Sequence, residues 1–221
     1  MYQIARSIRQ PIQNILVFVE GDTEENYFKS LRKHRNNNIK LSFKTSNMDG
    51  GGYNNFLNKI RKESTKGYIA FFIIIDLDKV QSDSVNFNKL LDYCKKKNSE
   101  KNQIPYFLIG TNKDFEFFAC CHCPKYKVSK DTKSYIEKEF NFRDLNKFKS
   151  DSKIYEFLNG DGRTVENALE TLKKIKPYIE NIYKKTNKGL DISINITQTN
   201  IDPSRINSKN SNINEFFDLI L

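Results

Sequence analysis

The chain has 221 residues, of which 38% are hydrophobic and 13% aromatic, and its 37 Lys and Arg residues against 27 Asp and Glu residues give a formal net charge of +10. This length suits one large domain with a single core, and the positive charge favours a phosphate-rich partner such as nucleic acid over an acidic membrane. No apolar run approaches the roughly 20 residues of a membrane span, and the N-terminal "MYQIARSIRQPIQN" lacks the apolar core of a secretory signal, so we expect a cytoplasmic protein that does not bind membranes.

Strands and helices alternate through the first half of the chain. Apolar, β-prone runs indicate the strands, and segments with apolar residues on one face indicate the helices. The predicted order is a strand at 14–19, a helix at 22–34, a strand at 40–48, a glycine-rich loop at 49–53, a helix at 55–63, a strand from 69, a helix at 85–97 and a strand at 104–110. Asp22 or Thr23 is expected to cap the first helix, whose first turn also carries Glu24 and Glu25, as the helix dipole prefers.

The stretch "IAFFIIIDLDKV" (69–80) indicates the middle of a sheet. Continuous apolar character over the length of a strand is typical of a parallel strand that is covered on both faces. We therefore predict an α/β fold with a mainly parallel sheet flanked by helices. In such sheets the functional crevice lies beyond the carboxyl ends of the strands. Four acidic residues are expected to meet there, namely Glu20, Asp76, Asp78 and Glu116.

The second half of the chain is predicted to be mainly helical. It contains amphipathic helices at 129–142 and 164–185, the second split or ended near Pro177, then an alternating strand at 190–199 near the sheet edge and a closing helix at 212–221. We predict one domain in three parts: a motif-bearing core at 14–123, a helical insertion at 124–188, and a closing strand and helix at 189–221.

Asp76 and Asp78 follow the apolar strand with one residue between them. Two like charges at a strand end repel each other, and a cation offsets that repulsion. Carboxylate oxygens with ligand positions left over suit Mg²⁺ or Mn²⁺, which keep waters and take phosphate oxygens as further ligands. The alternative is that Asp76 caps the following helix and Asp78 is solvated.

Three short motifs resemble one known family. They are "VEGDTEENYF", "DLD" and "TNKDFEFFACCH", and "NIDPSRINSKNSNI" near the end adds a looser likeness. Together they resemble the RloB-like branch of the Toprim nucleases, which shows Glu-Gly-x-Thr-Glu-x-x-Tyr-Phe, Asp-x-Asp and Asn-Pro-x-Phe-Glu-x-Trp followed by His. The chain departs from this pattern where Lys113 replaces proline and Phe118 replaces tryptophan, while the carboxylates are kept.

The resemblance implies a Toprim fold and a metal-dependent nuclease that acts on DNA or RNA, with transfer RNA as plausible as duplex DNA. Glu20 would be a general base or metal ligand, and Asp76 and Asp78 the metal-binding pair, with Mg²⁺ or Mn²⁺ as the ion. Glu116, also counted among the catalytic residues, would be a further metal ligand or a carboxylate that supports the ligands. The residues that could contact substrate or support the site are Glu24, Lys79, Asn112, Lys113 and His122.

The same resemblance implies partners as well as chemistry. RloB-like proteins are typically paired with an ATPase in prokaryotic defence against phages, often by abortive infection, so an ATPase partner protein is expected beside the nucleic acid. A homodimer is left open. No nucleotide-binding motif for an ATPase is visible in this chain.

The segment "CCHC" (120–123) raises two further questions. For His122 we favour a packed, hydrogen-bonded histidine over phosphate contact or proton shuttling. Zinc binding is disfavoured, because adjacent residues cannot all face one tetrahedral ion and the paired spacing of zinc ligands is missing. The cysteines are expected to be small buried hydrophobic residues.

Two competing interpretations remain at the level of sequence. Haloacid-dehalogenase-like phosphatases also carry an apolar strand that ends in Asp-x-Asp, but they normally place this strand first and need a later acidic pair. The other alternative is a non-catalytic subunit that binds or senses nucleic acid with a degenerate Toprim site. The retention of all four acidic positions argues against such decay.

Overall fold

A mostly parallel sheet lies at the centre of this computed structural model, which describes residues 14–35, 39–101, 103–188 and 191–221. Within those residues the sheet has five strands: β1 (Asn14–Val19), β2 (Ser42–Asn47), β3 (Tyr68–Asp76), β4 (Tyr106–Asn112) and β7 (Asn210–Ser211). Their order is β2-β1-β3-β4-β7. The strands β1 to β4 are parallel, and the short β7 runs antiparallel to the end of β4. The predicted α/β class with a mainly parallel sheet is confirmed.

Helices cover both faces of this sheet. One face packs against α2 (Gly52–Lys62) and α3 (Ser84–Ser99). The opposite face packs against the remaining helices: α1 (Asp22–His34), α4 (Phe115–Cys121), α5 (Thr132–Lys138), α6 (Leu145–Lys149), α7 (Ile154–Leu158), α8 (Val165–Lys173) and α9 (Asn214–Ile220). The sheet therefore separates two hydrophobic cores.

The central strand β3 belongs to both cores. Phe71 and Ile73 pack on the α2 and α3 side, whereas Phe72 and Ile74 pack on the side of α1 and α4. This two-sided burial explains why the strand is apolar at every position instead of alternating. Asp76 continues the alternation of Phe72 and Ile74, and so it falls on the side of α1 and α4.

The strand order creates a topological switch point between β1 and β3. From β1 the chain passes through α1 to β2 on one side, and from β3 it passes through α3 to β4 on the other side. The loops that follow β1 and β3 therefore diverge. A crevice forms between the carboxyl ends of such a strand pair, and ligands of open α/β sheets bind there.

One helix prediction is wrong in part. The helix predicted at 164–185, split or ended near Pro177, does end before that proline, because α8 stops at Lys173, but the segment after the proline forms strand β5 (Ile179–Lys188) and no second helical piece. Buried and exposed positions do alternate along β5, but the buried Asn181 is polar and the exposed Ile182 is apolar. A register shift between Ile182 and Tyr183 disturbs the pattern further. The hydrophobic pattern therefore concealed the strand.

The last predicted strand exists but lies elsewhere. It is β6 (Asp191–Ile201), and it pairs with β5 in a separate two-stranded antiparallel sheet instead of joining the edge of the central sheet. Residues 189 and 190 of the predicted segments lie outside the described residues.

Other elements also differ from the prediction. The helix predicted at 129–142 is shorter and corresponds to α5. The strand β7 and the short helices α6 and α7 were not predicted. No helix in the described part of the chain has both the length and the apolar character that a membrane crossing needs.

Candidate functional site

An open cleft of about 450 Å³ lies at the switch point, beside the carboxyl ends of β1 and β3. Six of the residues singled out in the sequence line it: Glu20, Glu24, Asp76, Asp78, Lys79 and Glu116. Its other lining residues are Gly21, Asp22, Thr23, Gly50, Asn146, Lys149 and Ser150. The cleft thus gathers carboxylates from the end of β1, the first turn of α1, the end of β3 and the start of α4.

Local backbone structure positions these carboxylates. Glu20 directly follows β1, and Asp76 is the last residue of β3. The backbone N–H of Asp76 donates a hydrogen bond to Oε2 of Glu20 at 3.2 Å, which joins the two strand ends across the switch point. The hydroxyl of Tyr53 donates to the backbone carbonyl of Asp76 at 2.9 Å, and the N–H of Gly50 donates to the carbonyl of Glu20 at 2.9 Å.

The predicted helix caps are wrong: neither Asp22 nor Thr23 caps α1, and both side chains form hydrogen bonds with other segments. Gly21 occupies the N-cap position of α1 without any side-chain hydrogen bond. Asp22 accepts a hydrogen bond from the amide of Asn47 at 2.8 Å, and the hydroxyl of Thr23 donates to the carbonyl of Lys149 at 3.1 Å. Asp76 does not cap α3 either, because Asp83 holds that position.

Burial and mutual repulsion disfavour the ionised forms of several carboxylates. Burial, reinforced by the negative charge of the neighbouring glutamates, raises the pKa of Asp76 well above its ordinary value. The same two causes raise the pKa of Glu24 to about 7 and that of Asp114, next to the cleft, to about 6. Burial also raises the pKa of Glu20. Ionisation of all the carboxylates in the cleft would therefore leave negative charge that the protein alone does not fully offset.

Lys149 is the functional candidate that sequence reasoning missed. Its Nζ lies 3.0 Å from Oε1 of Glu116, whose side chain is only 3% exposed. Burial opposes the charge of Lys149, but the charge and hydrogen bond of Glu116, together with the charges of Asp76 and Asp114, outweigh it and raise the lysine pKa. The other oxygen of Glu116, Oε2, is buried and has no hydrogen-bond partner among the described residues. No pattern could have identified Lys149, because lysines are abundant throughout this chain and α6 was not predicted.

The composition of the cleft fits a hard divalent cation. Six carboxylates and two ammonium groups line it, and oxygen donors are the ligands that Mg²⁺ and Mn²⁺ prefer. Within the described residues, Oε2 of Glu116 is buried without a hydrogen-bond partner, and a bound cation would interact favourably with this oxygen. In the described part of the chain, however, no three His, Cys, Asp or Glu side chains are already arranged to hold a metal ion. Binding would therefore require side-chain rotation, for which the exposed Asp78 and the half-buried Glu20 have room.

Comparison with known protein families decides the relationship. The family model for RloB-like proteins matches residues 15–202. The chain belongs to the RloB-like family. The matched range includes all six carboxylates of the cleft and Lys149. No curated protein and no solved structure matches the chain.

Three of the residues predicted to contact substrate or support the site lie outside the cleft lining of this RloB-like protein: Asn112, Lys113 and His122. Asn112 is 1% exposed, and its Nδ2 donates to the backbone carbonyls of Arg205, Ile206 and Ser208. Lys113 is exposed and follows Asn112 through a cis peptide bond. Asn112 therefore organises a neighbouring loop, while Lys113 faces solvent at the same edge of the sheet.

His122 is fully buried in the core of the RloB-like chain. Its Nδ1 lies 3.0 Å from the carbonyl of Phe118 and its Nε2 lies 2.9 Å from the hydroxyl of Tyr27. Since a carbonyl only accepts, Nδ1 carries the proton and Nε2 accepts from Tyr27. Burial lowers the pKa of His122 to about 4. This geometry is that of a packed, hydrogen-bonded histidine, and the adjacent Cys121 is buried as well.

The buried neutral His122 makes stability depend on pH. An unfolded histidine has a pKa of about 6.5, whereas the folded one titrates at about 4, so the unfolded state takes up the proton first as the pH falls. The stabilisation present above pH 6.5 is therefore lost between about pH 6.5 and 4, and it amounts to about 3 kcal/mol. We expect urea unfolding to show this loss in the wild type and to lack it in His122→Gln. An equal pH dependence in both proteins would contradict the assignment.

Proposed function

We propose that this RloB-like protein is a metal-dependent nuclease of the Toprim type that hydrolyses phosphodiester bonds in DNA or RNA, transfer RNA included. One observation carries the proposal: carboxylates from separate segments, Glu20, Asp76 and Glu116 among them, line a single cleft at the switch point of the sheet. A crowded set of partly desolvated carboxylates in a cleft is typical of a functional site, because stability alone would not select it.

Glu20, Asp76 and Asp78 would hold Mg²⁺ or Mn²⁺, with Glu116 as a further carboxylate at the inner wall of the cleft. The bound ion would supply the Lewis acid that polarises the phosphodiester and makes water more acidic. Glu20 is anchored through Oε2 by the N–H of Asp76, which leaves its second oxygen either to bind the ion or to accept a proton from the attacking water. Lys149 offsets the charge of Glu116, so the inner wall is less repulsive to an incoming phosphate.

The cellular setting is a proposal that rests on family membership and charge. The net charge of +10 favours a nucleic-acid partner. As for other RloB-like proteins, we propose an ATPase partner protein and a role in cytoplasmic defence against phages.

The decisive experiment is a cleavage assay with the purified protein. Plasmid DNA and total tRNA are incubated separately with Mg²⁺, Mn²⁺ or EDTA, and each mixture is repeated with the candidate ATPase. Cleavage that requires the divalent ion supports the proposal and identifies the substrate. Hydrolysis of a small phosphate ester with no action on either polynucleotide would favour the phosphatase alternative. Absence of cleavage under every condition, with the ATPase included, would favour the non-catalytic subunit.

A further inference from the structure

The loop formed by residues 202–209, hereafter the C-terminal loop, lies at the same edge of the sheet as the acidic cleft. It leads into β7, in which Asn210 pairs with Asn112 and Ser211 pairs with Thr111. Because β4 ends at Asn112 and β7 runs antiparallel to it, the residues before Asn210 extend beyond the carboxyl end of β4. The next strand in the sheet is β3, which delivers Asp76 to the cleft.

Two buried amides hold the backbone of this loop. Nδ2 of Asn112 donates to the carbonyls of Arg205, Ile206 and Ser208 at 3.3, 2.6 and 2.6 Å. Nδ2 of Asn210 donates to the carbonyls of Arg205 and Ser208 at 2.9 and 2.7 Å. Both asparagines are almost completely buried. A loop whose carbonyls are bound in this way is fixed before any ligand arrives, and its side chains are presented at a low entropic cost.

The C-terminal loop also touches the segment that follows β3. Nε2 of Gln81 donates to Oδ1 of Asn207 at 3.2 Å, and Gln81 stands shortly after Asp78 and Lys79 in the chain. The loop and the carboxylates of the cleft are therefore connected through one short segment. A strand of nucleic acid that leaves the cleft on this side would meet the loop next.

Several cationic residues belong to the C-terminal loop or lie next to it. Arg205 and Lys209 are loop residues, and Nζ of Lys176 contacts Asp202 of the loop. Lys79 and Lys113 are close in the chain to Gln81 and Asn112, whose side chains bind the loop. Asp202 is the carboxylate of the loop itself, and it lies 2.9 Å from Nζ of Lys176 and 3.9 Å from Nε of Arg205.

The side chain of Arg205 is 43% exposed, although its Nε is buried and has no hydrogen-bond partner among the described residues. Nζ of Lys209 donates to the hydroxyl of Tyr126 and to the carbonyl of Lys130. The exposed parts of Arg205 and Lys176 are therefore the positive charge that an anion reaches most directly.

We propose that the C-terminal loop is a phosphate-binding element for a polynucleotide strand that extends out of the acidic cleft. This inference rests on the proposed nuclease function and assigns it a substrate-binding element outside the cleft. The cleft carries excess negative charge and attracts a phosphate only through a cation, so affinity for the rest of the strand must come from outside it. Arg205 and its neighbours supply contacts to the sugar-phosphate backbone, which position a substrate without reading its sequence.

Binding without cleavage tests the proposal. Fluorescence anisotropy with labelled DNA and RNA oligonucleotides is measured in EDTA for the wild type and for Arg205→Ala/Lys209→Ala. We expect the double variant to raise Kd by about tenfold or more at physiological salt and to reduce the slope of log K against log salt by about 1 to 2, as expected for the loss of two phosphate contacts. The matched control is Lys95→Ala/Lys96→Ala, which removes the same charge from exposed positions on α3.

A second pair of variants guards against misfolding of the loop. Asn207 is exposed, so Asn207→Lys and Asn207→Glu leave the buried amides untouched; the first is expected to tighten binding severalfold and the second to weaken it. Equal losses in the loop and control variants, no response to either charge at Asn207, or a wild type that binds neither oligonucleotide would overturn the inference. Loop-dependent binding without cleavage in any metal or with the ATPase would instead overturn the nuclease proposal alone.

Discussion

Replacing Asp76 with Asn, or Glu20 with Gln, is expected to reduce metal-dependent cleavage by on the order of 10³-fold. Both substitutions keep the size of the side chain and remove one charged oxygen donor. The two residues lie at adjoining strand ends and are joined by a hydrogen bond of 3.2 Å, so each loss affects the same ion and the same reacting phosphate. The measurement is the initial rate of cleavage in Mg²⁺ and in Mn²⁺, with the substrate that the wild type cleaves.

Asp22→Asn provides the matched control for these variants. Asp22 lines the same cleft but is exposed and bound to the amide of Asn47. Its neutralisation removes the same charge from the cleft without touching the strand ends, and we expect a rate close to that of the wild type. Equal rates for Asp22→Asn and Asp76→Asn, whether both high or both low, would show that the strand-end carboxylates have no special role.

The Asp76→Asn variant is also expected to be more stable than the wild type when no metal is present. The pKa of Asp76 is raised by burial and by neighbouring negative charge, so the folded state holds a proton that the unfolded state releases near pH 4. Stability contributed by this group is therefore lost as the pH rises from about 4 toward the folded pKa. At pH 8 we expect Asn to add about 1–2 kcal/mol, which raises Tm by about 2–8 °C.

Two comparisons separate this effect from a general improvement in packing. The gain in Tm is expected to shrink at pH 4.5, where the carboxyl of the wild type is increasingly protonated in both states. Mg²⁺ or Mn²⁺ at a hundredfold excess over Kd is expected to stabilise the wild type by about 2.7 kcal/mol, and so to raise its Tm, while leaving the variant nearly unchanged. A variant that is less stable than the wild type at pH 8 would contradict the account of the cleft.

The sequence predicts the positions of the strand-end carboxylates because two simple patterns coincide there. The apolar run that ends at Asp76 has the length and composition of a strand buried on both faces, and the run before Glu20 is similar. Once both are parallel strands, their carboxyl ends share one edge. The convergence of Glu20 and Asp76 then follows from topology and needs no knowledge of side-chain packing.

The remaining features depend on tertiary contacts that leave no periodic signal. Lys149 reaches Glu116 only because the unpredicted helix α6 packs beside α1. The hydroxyl of Thr23, on α1, donates a hydrogen bond to the backbone carbonyl of Lys149 at the end of α6. Strand β5 buries Asn181 because Glu215 and the carbonyl of Leu108 satisfy its amide group. Because its polar groups have these partners, Asn181 is buried, and a prediction that places polar residues at the surface is wrong at this position.

If the carboxylates of the cleft form a cation site, the protein binds Mn²⁺, and the electron paramagnetic resonance signal of the free ion measures this binding during a titration. Wild type, Asp76→Asn and Asp22→Asn are compared at equal protein concentration. We expect the wild type and Asp22→Asn to remove Mn²⁺ from solution and Asp76→Asn to leave it free. Equal Mn²⁺ binding by Asp76→Asn and the wild type, or no binding by the wild type at millimolar concentrations, would contradict the proposed cation site.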